Sequence, residues 1–248
     1  MNSVESSYIE CLEANSDLNL AEEDDKYSGI FLALPFEKYW RSKLKVMIVG
    51  RETAGWNTKN GLNGLNRVVE HSRAGMANLI VDEAFNRYSW HLLDKPGGKL
   101  KTKHRSHFQH YYNSIAKQLG VHPESLIYAN LFAFDYDGAS IEGKPANEDV
   151  KRLSCELLSI LINYAKPDVI VFAVGCNKNN DLAIKSLMNT YYGGYQTQKL
   201  IPKQFWKFIS GDMTCYRVSH PRAKNGNHPS CREMVITDLI KLDRALTE

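Results

Sequence analysis

A carboxylate, an amide and an imidazole stand at or near the exits of separate β-rich runs in this chain. Glu52 follows the run 46–50, Asn130 lies in the run 125–132, and His220 lies near the end of the run 214–221. A carboxylate can orient water or stabilise a cation, an amide can read a donor–acceptor edge, and an imidazole can hydrogen-bond a developing anion. Each also has a plainer reading. Glu52 can sit in the first turn of a helix and complement its dipole. Asn130 can be a buried amide satisfied by backbone, and His220 can cap the loop that Pro221 rigidifies. Their placement on separate strands favours the chemical reading, because the carboxyl ends of strands in an open α/β sheet converge on one crevice.

The elements that must position these groups alternate in type. Val46 to Gly50 is a compact apolar run ending in glycine, the pattern of a parallel strand covered on both faces. Runs 125–132, 168–175 and 214–221 repeat the punctuation, each with a polar residue or glycine inside or at its exit. Between them, apolar residues at helical spacing predict helices over 104–119, 149–165, 181–192 and 230–246. The second stops at Lys166-Pro167 and the third at Gly193-Gly194; the last has Ser230 as N-cap and Glu233 three residues on, a capping-box pattern. Strands alternating with helices imply right-handed crossovers and a mostly parallel sheet between helical layers. Residues 1–40 read as a helical preface, with Phe36 and Trp40 docking onto the main domain.

Composition narrows the classes. At 248 residues, with 43% hydrophobic and 24% charged content, the chain is long enough for one sizeable core and ordinary for a globular protein. No apolar run approaches the ~18 residues that span a membrane, and no secretory signal is visible at the start. Cysteines at 11, 155, 176, 215 and 231 form no Cys-x-x-Cys pair, which argues against a disulfide framework, a zinc ribbon or an iron–sulfur cluster and for a reducing cytoplasm. The net charge of +3 is too small to prove a nucleic-acid partner. Its distribution says more: Lys95, Lys99, Lys101, Lys103 and Arg105 surround Pro96-Gly97-Gly98, a basic loop suited either to phosphates or simply to solvent.

Several chemistries lack their signatures. There is no phosphate-cradling Gly-x-x-x-x-Gly-Lys-Ser/Thr loop, no Gly-x-Gly-x-x-Gly and no Gly-x-Ser-x-Gly elbow. His104, His107 and His110 lie three apart on one predicted helix, but without acidic partners a packed or solvated face explains them better than a metal.

The main domain, from about Lys45 to Leu246, resembles the uracil-DNA glycosylase superfamily, and the resemblance rests on short motifs. The family's first motif follows the first strand and reads Gly-Gln-Asp-Pro-Tyr-His in the uracil-specific branch. Gly50-Arg51-Glu52-Thr53-Ala54-Gly55 resembles it and places Glu52 at the water-activating aspartate. The family's base-reading asparagine lies in an apolar strand, where Asn130 in Ile127-Tyr128-Ala129-Asn130-Leu131-Phe132 matches it. The family's last motif, His-Pro-Ser after the fourth strand, is met by Ser219-His220-Pro221-Arg222, which makes His220 the donor to the base carbonyl. A more literal His228-Pro229-Ser230 follows eight residues later and reads as the start of the last helix, leaving His228 as the alternative histidine.

The resemblance implies an α/β fold, a three-layer α/β/α sandwich around a mostly parallel four-stranded sheet. It implies a monofunctional DNA glycosylase that flips its target nucleotide and needs no metal or cofactor. Glu52, Asn130 and His220 become the catalytic set, and Gly50, Arg51, Thr53, Ala54, Gly55, Trp56 and Phe132 the base pocket. Lys99, Lys101, Lys103, Arg105, Arg222, Lys224 and Asn225 become the DNA contacts of a monomeric, cytoplasmic enzyme. Should Glu52 not serve, Asp135 and Asp137 are the next carboxylates. Ala54 stands where the uracil branch has a tyrosine that closes the pocket against C5 substituents, so a bulkier pyrimidine is expected. Thr53 replaces a proline and is expected to loosen the turn. Lys224 falls where an apolar wedge is expected. Some bacterial members of the superfamily act in phage defence by removing glucosylated hydroxymethylcytosine, and Asn57, Asn60, Asn63 and Asn66 offer hydroxyl-binding groups or ordinary turns. The competing expectations are a repair glycosylase for uracil or a damaged base, a non-catalytic DNA-binding module, and an unrelated nucleoside hydrolase.

Overall fold

Five residues in a row, Val46 to Gly50, are completely buried, and the sheet is built outward from them. The computed structural model describes residues 3–18, 20–58, 61–92 and 106–246. In chain order its elements are α1 (Val4–Ala14), α2 (Glu37–Trp40), β1 (Val46–Gly50), α3 (Leu65–Arg73), α4 (Ala77–Leu92), α5 (His107–Gln118), β2 (Leu126–Asn130), α6 (Asn147–Ala165), β3 (Val169–Phe172), α7 (Lys178–Tyr191), β4 (Gln196–Ile201), β5 (Phe205–Ser210), β6 (Met213–Val218) and α8 (His228–Ala245). They fall into two compact units. One comprises Met1–Leu34, Glu52–Lys101 and Phe132–Tyr164; the other comprises Pro35–Arg51, Thr102–Leu131 and Ala165–Glu248.

The second unit holds a six-stranded mixed sheet in the order β2-β1-β3-β6-β5-β4. β1 pairs in parallel with β2 and β3, and β3 in parallel with β6. β5 and β4 then add as antiparallel strands. The chain is therefore α/β with a mostly parallel sheet, as the strand–helix alternation predicts, but the expected four-stranded sheet is corrected to six. The four strands read from the sequence are the parallel ones. β4 went unread because Gln196 to Leu200 are all exposed at the sheet edge, so no buried face stamps an alternation on them. β5 and β6 join through Gly211-Asp212, with Gly211 at φ 53 in the left-handed region that glycine enters without steric cost.

Helix bounds follow the apolar spacing with shifts at the starts. Ser106 caps α5 by accepting from the Phe108 N–H, and Phe108, Tyr111, Tyr112, Ile115 and Ala116 form its buried face. α8 starts at His228, not at Ser230, and Asn227 takes the N-cap position without a side-chain bond. Pro229 explains the shift, since its fixed φ suits the first helical turn and its missing N–H costs nothing there. Trp40 is 41% exposed, with the Lys45 ammonium over its ring, while neighbouring Tyr39 is buried and donates its hydroxyl to the Ala165 carbonyl at 3.2 Å.

In the first unit α1, α3 and α4 pack against one another. α4 buries Ala77, Ile80, Val81, Ala84 and Tyr88, the i, i+3, i+4 stripe of an amphipathic helix. α1 buries Val4, Tyr8, Cys11 and Leu12 and is capped by the Ser3 hydroxyl, which accepts from the Ser6 N–H. Among the described residues no helix is long and apolar enough to cross a membrane.

Candidate functional site

Asn130 is the last residue of β2 and lies level with Gly50 of β1. It is 6% exposed, and neither its Oδ1 nor its Nδ2 has a hydrogen-bond partner among the described residues. The Tyr128 phenol is within electrostatic reach. Burial pushes that phenol up and the Asn130 amide offsets part of the shift, yet no hydrogen bond of full geometry closes between them. An amide buried with both ends unsatisfied costs about 1–3 kcal/mol for each orphaned group. Gly50 makes room for it: a Cβ at that position would stand 2.6 Å from Asn130 Oδ1 and 3.1 Å from the Phe108 ring. The strand-end glycine is thus explained by a close approach of side chains, one of the standard meanings of glycine in a strand.

His220 follows β6 at the same, carboxyl, end of the sheet. Its Nδ1 accepts the Arg222 N–H at 3.1 Å, and its carbonyl accepts the Ala223 N–H at 2.8 Å. A ring nitrogen that accepts carries no proton, so the proton of the neutral ring belongs on Nε2. Burial first, and then the electrostatic influence of Arg222, Arg51, His107 and Arg232, lowers its pKa to about 4. The imidazole is therefore neutral at pH 7 and presents a single N–H donor. The first residues of α5 link the two ends of this arrangement, with Phe108 against Gly50 and Asn130 and His107 in the electrostatic surroundings of His220. His228, the alternative histidine, opens α8; its Nδ1 is buried and has no hydrogen-bond partner among the described residues.

Glu52, Thr53, Ala54, Gly55 and Trp56 belong to the other compact unit. There the motif loop is organised by Asp135, which is wholly buried. Its Oδ2 accepts from the Thr53 hydroxyl at 2.5 Å, the Gly55 N–H at 3.0 Å and the Trp56 N–H at 3.3 Å. Its Oδ1 accepts from the Gly138 N–H at 2.9 Å. Thr53 therefore does not loosen the turn; its hydroxyl is one of the bonds that hold it. With both oxygens occupied, Asp135 is an anchor and not a reserve catalytic carboxylate, while Asp137 is exposed at φ 51. Glu52 is half-buried and Ala54 is exposed. Trp56 and Phe132 are buried at 3% and 1% exposure, and Trp56 packs edge-on against Phe31 and His91 beneath the Arg87 guanidinium.

Of the asparagines after the motif, Asn66 is committed to the backbone of Leu20, accepting from its N–H and donating to its carbonyl. Asn57 adopts φ 47 and Asn63 is exposed. Arg222, Lys224 and Asn225 are exposed in the turns after His220. Lys99, Lys101, Lys103 and Arg105, with Asn60 and His104, lie outside the described residues. No group of three or more His, Cys, Asp or Glu among the described residues is placed to hold a metal ion.

Two positioning roles escaped the sequence, that of Asp135, which is legible there only as a reserve carboxylate, and that of Arg232. Asp135 reaches the motif across about eighty positions, and its only local signal is the turn it makes with Gly138. Arg232 bonds the His220 loop from α8 and carries no motif at all. No family model matches the chain, and no curated protein matches it.

Proposed function

We propose that the chain is a monofunctional DNA glycosylase of the uracil-DNA glycosylase superfamily. It hydrolyses the N-glycosidic bond of a flipped, C5-modified pyrimidine and leaves an abasic site, with glucosylated hydroxymethylcytosine in phage DNA as the foremost substrate. The observation that carries this reading is Asn130. An amide with neither donor nor acceptor satisfied in full geometry among the described residues, buried at a strand end behind a glycine, is suited to the donor–acceptor edge of a base. His220 supports it as a neutral Nε2–H donor, able to stabilise negative charge on a departing base without surrendering its own proton.

In this reaction Asn130 reads the extruded base. The C1′–N bond breaks with its electron pair going to the base, and His220 donates a hydrogen bond to the base oxygen where that charge collects. Glu52 stabilises the cationic sugar and orients the water that adds at C1′, and the proton this water loses ends on the departed base. The three-layer arrangement about the parallel strands, the cytoplasmic setting, a monomeric working unit and the antiviral role belong to the same proposal. Ala54, exposed and small, is the feature that selects a C5-modified base over uracil.

The test is incubation with duplexes carrying uracil, a thymine mismatch, hydroxymethylcytosine or its glucosylated form, followed by alkaline cleavage at abasic sites. Cleavage confined to the modified cytosines is the expected outcome. Cleavage at uracil alone would replace this reading with a repair glycosylase. Binding without cleavage of any duplex would replace it with a non-catalytic module.

A further inference from the structure

Between Ser219 and Ala223 the chain makes a tight loop around His220, and a single side chain from outside the loop holds both of its ends. That side chain is Arg232, on the first turns of α8. One terminal nitrogen, Nη1, donates to Ser219 Oγ at 2.8 Å, and the other, Nη2, donates to the Ala223 carbonyl at 2.9 Å. Ser219 is 3% exposed, so water does not readily take the place of the guanidinium. Inside the clamp the Ala223 N–H closes on the His220 carbonyl and the Arg222 N–H closes on His220 Nδ1. Pro221, which is buried, stiffens the middle of the loop.

We infer that Arg232 is the positioning residue of His220: its planar fork holds the 219–223 loop in the conformation that engages Nδ1 and presents Nε2–H. The importance of that tautomer for base release rests on the glycosylase reading; the clamp itself does not. The chemistry of the fork is specific. Two donors at fixed separation in one plane set both position and orientation, which an ammonium on a flexible stem does not do. Arg232 also contributes charge. The groups facing the imidazole that disfavour a second ring proton are Arg222 from its own loop, Arg51 beyond β1, His107 on α5 and Arg232 on α8. The two roles separate by substitution. Arg232→Lys keeps the charge and loses the fork, whereas Arg232→Met loses both.

The experiment is nitrogen NMR of the whole protein with labelled histidine, following the His220 ring through a pH titration, with His220→Gln for assignment. In the wild type, Nδ1 is the unprotonated nitrogen at neutral pH and the ring titrates at about 4. In Arg232→Met the two tautomers mix and the midpoint rises. In Arg232→Lys the tautomers mix while the midpoint stays low. Base release by Arg232→Met falls at least tenfold in kcat with KM changed less than threefold. Thermal melts run in parallel identify variants that fail to fold. Should Arg232→Met fail to fold, Ser219→Ala removes one anchor of the clamp and is read in the same way. A folded variant with the wild-type tautomer overturns the inference. Tautomer mixing as expected, together with no base release by the wild type from any duplex, leaves Arg232 as the positioning residue and overturns the glycosylase reading alone.

Discussion

Asp135→Asn tests whether the loop after β1 is held by a single buried carboxylate. Asp135 has no exposed surface, and four donors converge on it: Thr53 Oγ1, the Gly55 N–H and the Trp56 N–H on Oδ2, and the Gly138 N–H on Oδ1. Hydrogen bonds to a charged group are worth about 1.5–3 kcal/mol each, although bonds sharing one oxygen do not simply add. The amide keeps an acceptor for Gly138 but turns a donor toward three donors. Leaving that network buried and broken costs about 3–5 kcal/mol. For a chain of this size that corresponds to a fall in Tm of about 6–20 °C. Thermal denaturation followed by circular dichroism gives Tm, and urea titration gives the free energy. A Tm within about 2 °C of wild type would refute the anchor, allowing for ordinary surface-substitution effects. Normal stability with base release abolished would return Asp135 to the chemistry.

Other consequences are equally open to measurement. Gly50→Ala places a Cβ 2.6 Å from Asn130 Oδ1 and should cost about 1–3 kcal/mol by urea denaturation; an unchanged midpoint would mean the strand end yields freely. The folded pKa of His220 is depressed to about 4, below its unfolded value, so its stabilising contribution is complete above pH ~6.5 and is lost as pH falls toward 4. Base release should accordingly show no His220 ionisation down to about pH 5, and an NMR titration of His220 centred near 6.5 would contradict the buried, cation-ringed environment. Ala54→Tyr should lower the kcat/KM ratio of C5-modified to unmodified pyrimidine at least tenfold, by about 1.4 kcal/mol or more; an unchanged ratio would show that Ala54 does not face the substituent.

What could be read in the chain depended on how far apart the interacting residues lie. β1 is legible to the residue because an apolar run ending in glycine is a local pattern, and Asn130 and His220 stand out as polar groups within or beside such runs. β4 was illegible because exposed strand residues carry no periodic burial. The Gly211-Asp212 turn between β5 and β6 is a local hairpin signal of the same legible kind. Ser230 and Glu233 fit a capping box by their spacing, but Pro229 starts the helix earlier. The long-range bonds that hold the two loops were out of reach. Asp135 acts on Thr53 from 82 positions away, and Arg232 acts on Ser219 from 13. Such partnerships exist only after the chain has folded, and no local spacing encodes them.

In the proposed reaction the chain breaks a glycosidic bond with Glu52 as its essential charge. The most direct measurement is mass spectrometry of free base released from DNA containing glucosylated hydroxymethylcytosine, by wild type and by Glu52→Gln, with DNA affinity measured alongside. The amide keeps the shape and removes the charge that stabilises the cationic sugar, an effect worth about 3–4 kcal/mol, or a few hundredfold in rate. Released modified base and an equivalent of abasic sites are expected with the wild type, and near-complete loss of both with unchanged affinity in the variant. No released base from the wild type, or equal release by the two proteins, would contradict the proposed reaction.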